Sequence, residues 1–401
     1  MSTPFISIVM PTRDRPELLQ HSVRSALEQR FDTSAFEVVV SDNSTDDRTK
    51  ALVKEIASPN LKYATTGGGL NMPDSWEFAA SQASGRYLTF LCDDDALVGS
   101  TLEKLADALA GDPEAELVIW GHAEYYHPDW PEPWNRNRLV LPSYSGDAVQ
   151  EASDDALRRL FSFDFARLPK MLNSACSNAL AQRIRERAGR LFLPTSPDYS
   201  FMAASLAVTT SVLYLDTPLQ IAGASKHSIG MASMRGGSNA TRAFFSEFNA
   251  DPAEMHPDAP LVPSATISSI FQSIVNVSRS GVLTKQYEPS LPRYFALLYS
   301  ELRGWEAAGV DVKEPIHSLT KRLSLESGSW ATDLLARIRA ETSRRRLRHW
   351  LATHKRMARL ERRIRSSASV NHETTLSGDE NSFTDILECS RLLDSIVGNR
   401  D

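Results

Sequence analysis

The sequence is short of cysteine, of long apolar runs and of glycine-rich phosphate loops, and each shortage excludes a class of protein. Three cysteines in 401 residues (Cys92, Cys176, Cys389) stand far apart with no metal-ligand spacing. That fits a reducing compartment and argues against a disulfide framework. No stretch approaches the roughly 18 apolar residues a membrane span needs. The opening MSTPFISIVMPTRDRP has no basic n-region, and its apolar run is too short for a signal peptide. The expectation is a cytoplasmic protein without an integral anchor. No G-x-G-x-x-G follows any strand-like run, and Gly67-Gly68-Gly69 lacks the spacing, so a Rossmann dehydrogenase is disfavoured.

What is present is an ordinary globular composition, long enough for one large domain and an accessory region. The net charge of −6 hides an asymmetry, because Arg337–Arg365 holds twelve Lys/Arg against Glu341 and Glu361. An acidic body with one basic segment is unlike a general nucleic-acid binder.

The first 125 residues alternate short β-rich runs with amphipathic stretches, the pattern of an α/β domain with an open, mostly parallel sheet flanked by helices. Strands are expected at Phe5–Met10, Phe36–Ser41, Leu61–Ala64, Arg86–Cys92 and Glu116–Gly121. Helices are expected from about Pro16 to Arg30, from a cap at Asn43 or Ser44 to Ala57, over Asp74–Ser84, and from a Ser100 cap to Gly111. Residues 126–150, rich in Pro, Trp, Asn and Tyr, read as an irregular excursion. Helices over Asp154–Phe163 and Ala179–Gly189 and a strand over Ser211–Asp216 complete a catalytic domain of residues 1–225. Residues 226–264 read as a flexible active-site loop or linker, and 265–365 as a helical accessory region ending in a basic helix. Polar residues 366–382 read as a flexible tether, and 383–401 as a last amphipathic helix.

Ligands of open α/β sheets sit beyond the carboxyl ends of the strands. Three polar segments fall there: Pro11-Thr12-Arg13-Asp14, Asp42-Asn43-Ser44 and Asp93-Asp94-Asp95. An aspartate after a strand also serves as a helix cap, so Asp42 alone decides nothing. Three adjacent carboxylates repel each other by about a kcal/mol or more unless a cation neutralises them. Oxygen ligands without His or Cys favour Mg²⁺ or Mn²⁺ over zinc, and such an ion suits a diphosphate leaving group. A solvated acidic turn is the plain alternative.

The order ISIVMPTRDRPELL, VVVSDNSTDD, GRYLTFLCDDDAL resembles the family 2 glycosyltransferases of GT-A fold over about residues 5–230. The resemblance implies an inverting, metal-dependent transfer of sugar from a nucleotide diphosphate donor, usually a UDP-sugar. It places Pro11, Thr12 and Arg13 at the nucleoside, Asp42 at the base, and Asp93–Asp95 in the DXD region. There Asp94 would face ribose or metal, and Asp95 would bind metal. Asp198, in Pro197-Asp198-Tyr199, falls where the family has its catalytic base, a position that also suits the first turn of a helix. The family's common Ala-Arg-Asn segment is replaced by Ser75-Trp76-Glu77, so donor contacts fall to Asn71 or Arg86. Cys92 takes the first place of the usual D-x-D-D form.

Gly223–Gly237 could form a lid over the donor, and the resemblance makes His227 a third metal ligand or else an ordinary surface group. Trp130, Trp134 and Tyr144 could stack on an acceptor sugar or simply pack. Residues 344–365 could lie on an anionic membrane surface that presents a polyprenyl-linked saccharide acceptor, or pack on the acidic body. The C-terminal helices could mediate a homodimer. A role in surface polysaccharide assembly follows only by family analogy. The rival readings are a sugar nucleotidyltransferase, disfavoured by the glycine-free Met10-Pro11-Thr12-Arg13, and a non-catalytic nucleotide-sugar binder or scaffold.

Overall fold

Ile6–Thr12 (β1) and Phe36–Asp42 (β2) are buried along their whole length in the computed structural model, as near-continuous apolar runs require when helices cover both faces of a sheet. The structure describes residues 3–226, 228, 262, 264–353 and 373–398, with the side chains of 343–353 excluded. Pro16 opens α1 (Pro16–Leu27) at its first turn, where its missing N–H costs nothing. The chain continues through α2 (Arg48–Ile56), β3 (Leu61–Thr65), α3 (Met72–Ser81), β4 (Tyr87–Phe90), β5 (Ala96–Leu97) and α4 (Thr101–Gly111). β3, β2, β1 and β4 lie side by side and parallel.

Beyond β4 the pattern changes. β6 (Leu117–Tyr126) is split between neighbours: its first half pairs with β9 (Ser174–Ser177), and its far end with β7 (Arg138–Leu141). Its other edge runs parallel to β10 (Ser211–Ala224), whose register shifts at Pro218. β8 (Ala148–Ala152) flanks the start of β10, and β5 pairs with its end. The excursion expected at 126–150 therefore contains two strands. They escaped notice because each is short and β8 is largely exposed. The expected cap at Asn43 or Ser44 is displaced too, since α2 begins only at Arg48.

Alternate residues of β1 enter two cores, Ile8 and Met10 on the side of α1, α2 and α4, Val9 on the other. The second side holds α5 (Ser153–Phe161), α6 (Asn178–Ala188) and α7 (Pro197–Val208). The helices that follow, α8 (Thr266–Arg279), α9 (Leu291–Ala307), α10 (Lys313–Leu323) and α11 (Ser329–Thr353), enter the same core. Phe271 stacks on Phe163, with ring centroids 5.9 Å apart. The helical region is thus one wall of the α/β body. Its first helix is capped from outside: the Glu301 carboxylate on α9 accepts from the backbone N–H of Thr266 at 2.7 Å and Ile267 at 3.1 Å. Glu301→Ala would orphan both donors, and a loss of about 1–3 kcal/mol is expected in urea unfolding.

The tether expected at 366–382 is corrected in its second part. Thr374–Ser377 form β11, antiparallel to β7, and Gly378–Asn381 make one helical turn. A strand pairs through backbone groups, so polar side chains at an edge do not prevent it. Asn137 fixes the return, its side chain donating to the Phe383 carbonyl at 3.0 Å. The last helix, α12 (Ile386–Gly398), buries Ile386, Cys389, Leu393 and Val397 against Ala96, Val98, Tyr125 and Ile221. Asp394 accepts from the Ser100 N–H at 3.0 Å, and Arg391 pairs with Glu28 at 2.6 Å.

Candidate active site

The three acids follow β4 and are held from three sides. Thr12, closing β1, donates its hydroxyl to Asp93 at 2.7 Å. Ser22 on α1 donates to the carbonyls of Asp93 and Asp95, at 2.8 and 2.6 Å. From β10, Gln220 and the Gly223 N–H each donate to one oxygen of Asp95, at 3.1 and 2.8 Å. The Ser228 hydroxyl donates to Asp94, whose carbonyl lies 3.2 Å from Nε2 of His127.

All three carboxylates are buried, with 0, 7 and 6 % exposure for Asp93, Asp94 and Asp95. Among the described residues, Arg15 is the cation paired with them, with its guanidinium 2.8 Å from Asp93 and 3.7 Å from Asp94. Burial pushes Asp93 up to about 6 despite Arg15, with Asp94 adding to the rise. Burial, then Asp94, also raises Asp95 well above the carboxylate range. One guanidinium does not balance three acids in so dry a place.

Beside them, Asp42 closes β2. Its oxygens accept from the Ser44 N–H at 2.9 Å and the Tyr63 hydroxyl at 2.8 Å. The Asn43 side chain ties the strand to Leu70 at 2.8 Å, which brings Asn71, the cap of α3, to the same rim. Arg13 lies half exposed beside Asp14. Pro11, Thr12, Asp42, Asp93, Asp94 and Asp95 therefore come together as the strand order demands.

Asp198 lies in the first turn of α7. Burial raises its pKa, and Lys170 opposes that rise. The Lys170 ammonium lies 5.4 Å from the Tyr199 ring centroid, and its field reaches Asp198, Tyr199 and Glu124. The Tyr126 hydroxyl donates to Glu124 at 3.2 Å. Trp130 is buried edge-on against Tyr126, which makes it a packing residue, while Trp134 is 69 % exposed. His227 lies outside the described residues.

Arg15, Gln220 and Lys170 are site residues that the sequence did not single out, while Gly223 and Ser228 come from the segment expected to form a lid. A second basic residue three positions after Thr12, just past the carboxyl end of β1, was the available signal for Arg15.

Residues 7–180 match the family model described as Glycosyl transferase family 2. Over these residues, less than half of the chain, the protein is similar to family 2 glycosyltransferases. O-antigen biosynthesis protein RfbC of Myxococcus xanthus is 40 % identical over 117 residues, 29 % of this chain and 9 % of that one. The GalNAc(5)-diNAcBac-PP-undecaprenol beta-1,3-glucosyltransferase of Campylobacter jejuni is 32 % identical over 105 residues, 25 % of this chain and 33 % of that one. The chain thus spans a third or less of the length of these two relatives. Among solved structures, S. aureus TarS 1-349 in complex with UDP-GlcNAc aligns at 16 % identity and TM-score 0.46, covering 79 % of this chain and 89 % of that one.

At this rim the donor set suits a hard divalent ion, since three buried carboxylates face a single guanidinium. No cluster of three or more His, Cys, Asp or Glu converges as a ready-made metal nest among the described residues. Asp95, expected as the principal metal ligand, has both oxygens engaged by β10, whereas only one oxygen of Asp94 meets Ser228 and Arg15. Among the described helices, none is long and apolar enough to cross a membrane.

Proposed function

We propose that the chain is an inverting glycosyltransferase that moves a sugar from a nucleotide diphosphate donor, a UDP-sugar, to a hydroxyl of a saccharide or lipid-linked saccharide. The observation that carries the reading is the buried run Asp93–Asp95, underbalanced in charge and set at the carboxyl ends of the parallel strands. Asp42, Asn71 and the Pro11–Arg13 loop would hold the nucleoside. Asp94, with Asp95 and His227, would hold Mn²⁺ or Mg²⁺, which when bound offsets the charge that develops on the departing diphosphate.

Asp198 would accept the proton of the acceptor hydroxyl as that oxygen attacks the anomeric carbon. The nucleoside diphosphate leaves from the opposite face, which inverts the configuration. A carboxylate in a partly dry site has the raised proton affinity that a base needs. Lys170 would favour its ionised form. The lipid-linked acceptor is suggested by the undecaprenol-linked substrate in the Campylobacter relative's name. Peripheral membrane contact through 344–365 involves side chains outside the described residues, and it is part of the same proposal.

The test is release of nucleoside diphosphate from a panel of nucleotide sugars with Mn²⁺, Mg²⁺ or EDTA. Metal-dependent release from one donor, lost in Asp94→Asn, is the expected result. Absence of both release and metal-dependent thermal stabilisation by UDP, GDP or dTDP would overturn the reading.

A further inference from the structure

The loop between β1 and α1 carries two arginines, two residues apart, with opposite fates. Arg13 points outward, its side chain 47 % exposed, while Arg15 turns in toward the acids at 27 %. The turn between them is built: Asp14 has φ of 60°, a left-handed conformation that aspartate tolerates better than most residues, and its N–H donates to Ser44 at 2.7 Å. Arg15 immediately precedes α1 without capping it through its side chain, and among the described residues its guanidinium pairs with Asp93 and Asp94.

Its targets are also fixed. Asp93 is pinned by Thr12 on one oxygen and meets Arg15 on the other. Asp94 lies at the far end of the same guanidinium, at the looser 3.7 Å. A monovalent cation thus stands where three buried acids call for a doubly charged one. A divalent ion on Asp94 would sit close to Arg15, and two cations at that range repel strongly in a dry site.

We propose that Arg15 is a resident counter-cation that a divalent ion must displace from Asp94, and that the displaced guanidinium then meets the diphosphate of the donor. This rests on the metal-dependent reading above and adds an order to it. Before the ion arrives, Arg15 screens the acids and keeps the empty site folded. Afterwards it pivots about the pinned Asp93, placing a planar fork of donors where phosphate oxygens accumulate. Metal and donor should therefore bind with positive coupling, each making room for the other.

The test measures Mn²⁺ uptake by the full chain without nucleotide, by calorimetry and by the free-ion EPR signal, in wild type, Arg15→Gln and Asp94→Asn. Arg15→Gln is expected to bind Mn²⁺ at least about tenfold more tightly than wild type, and Asp94→Asn at least about tenfold more weakly. With Mn²⁺ saturating, UDP should bind Arg15→Gln more weakly than wild type. Should Arg15→Gln fold only with Mn²⁺ present, that also supports the proposal. Should it not fold at all, Arg15→Lys replaces it, with several-fold tighter Mn²⁺ binding expected and unchanged binding counting against the idea. Equal Mn²⁺ affinity in wild type and Arg15→Gln overturns this inference alone. No Mn²⁺ uptake by any of the chains, with or without UDP, overturns the metal-dependent reading as well.

Discussion

Asp198→Asn is expected to slow sugar transfer by about 10²–10⁴-fold while leaving UDP affinity within a factor of two or so, because a general base acts only on the moving proton. Asparagine keeps the size and the position in the first turn of α7 but cannot take a proton. The site also dictates the pH profile. Burial raises the Asp198 pKa, and the base works only when ionised, so the rate should climb through a pKa above the ordinary carboxylate value and then level. Lys170 is the group that restrains this rise. Lys170→Met should therefore move the acid limb to higher pH, with no change in Mn²⁺ affinity. Initial rates from pH 4 to 9 on the wild type and both variants check this. Undiminished transfer by Asp198→Asn would place the base elsewhere.

The largest structural effect is expected at Gly223. A Cβ there would fall on the carbonyl oxygen of Asp94 and come within 2.8 Å of Nε2 of His127. The Asp94 backbone cannot yield as a flexible side chain can, so β10 must withdraw from the acids. The Gly223 N–H would then leave Asp95, exposing the charge of a buried carboxylate to no donor. Gly223→Ala should lose about 1–3 kcal/mol of stability or more, together with nearly all stabilisation by Mn²⁺ and UDP. A variant whose thermal midpoint and nucleotide response match wild type would show that β10 does not clamp the acid run.

The parallel half of the sheet was legible because burial on both faces leaves a continuous apolar run, which β1, β2 and β4 all show. The acid run was legible for the opposite reason, since few solvated turns need three adjacent carboxylates. What failed were elements held by backbone pairing rather than by side-chain pattern. β9 has four residues, Ser-Ala-Cys-Ser, and β11 is Thr-Thr-Leu-Ser. Neither has a periodicity to read. The division of labour among the acids was equally hidden. Asp95 is taken up by Gln220 and Gly223, 125 and 128 residues away, and only the register of β10 against β5 brings them together. The charge of Lys170 acts on Asp198 across a span that no local pattern links.

The return of residues 374–398 sets an order of events in biosynthesis. α12 covers β5 and lies along α1, the elements that flank the acid run, and Asp394 ties down Ser100 from 294 residues away. Domains tend to fold from the amino terminus as they emerge during translation. Here the strands carrying Thr12, Asp42 and the acids are made first, yet Ala96, Val98 and Ile221 wait uncovered until α12 has been translated. A nascent chain halted near residue 370 would display that apolar face beside an unfinished acid rim, so the rim matures only after a segment made long after the strands that carry it.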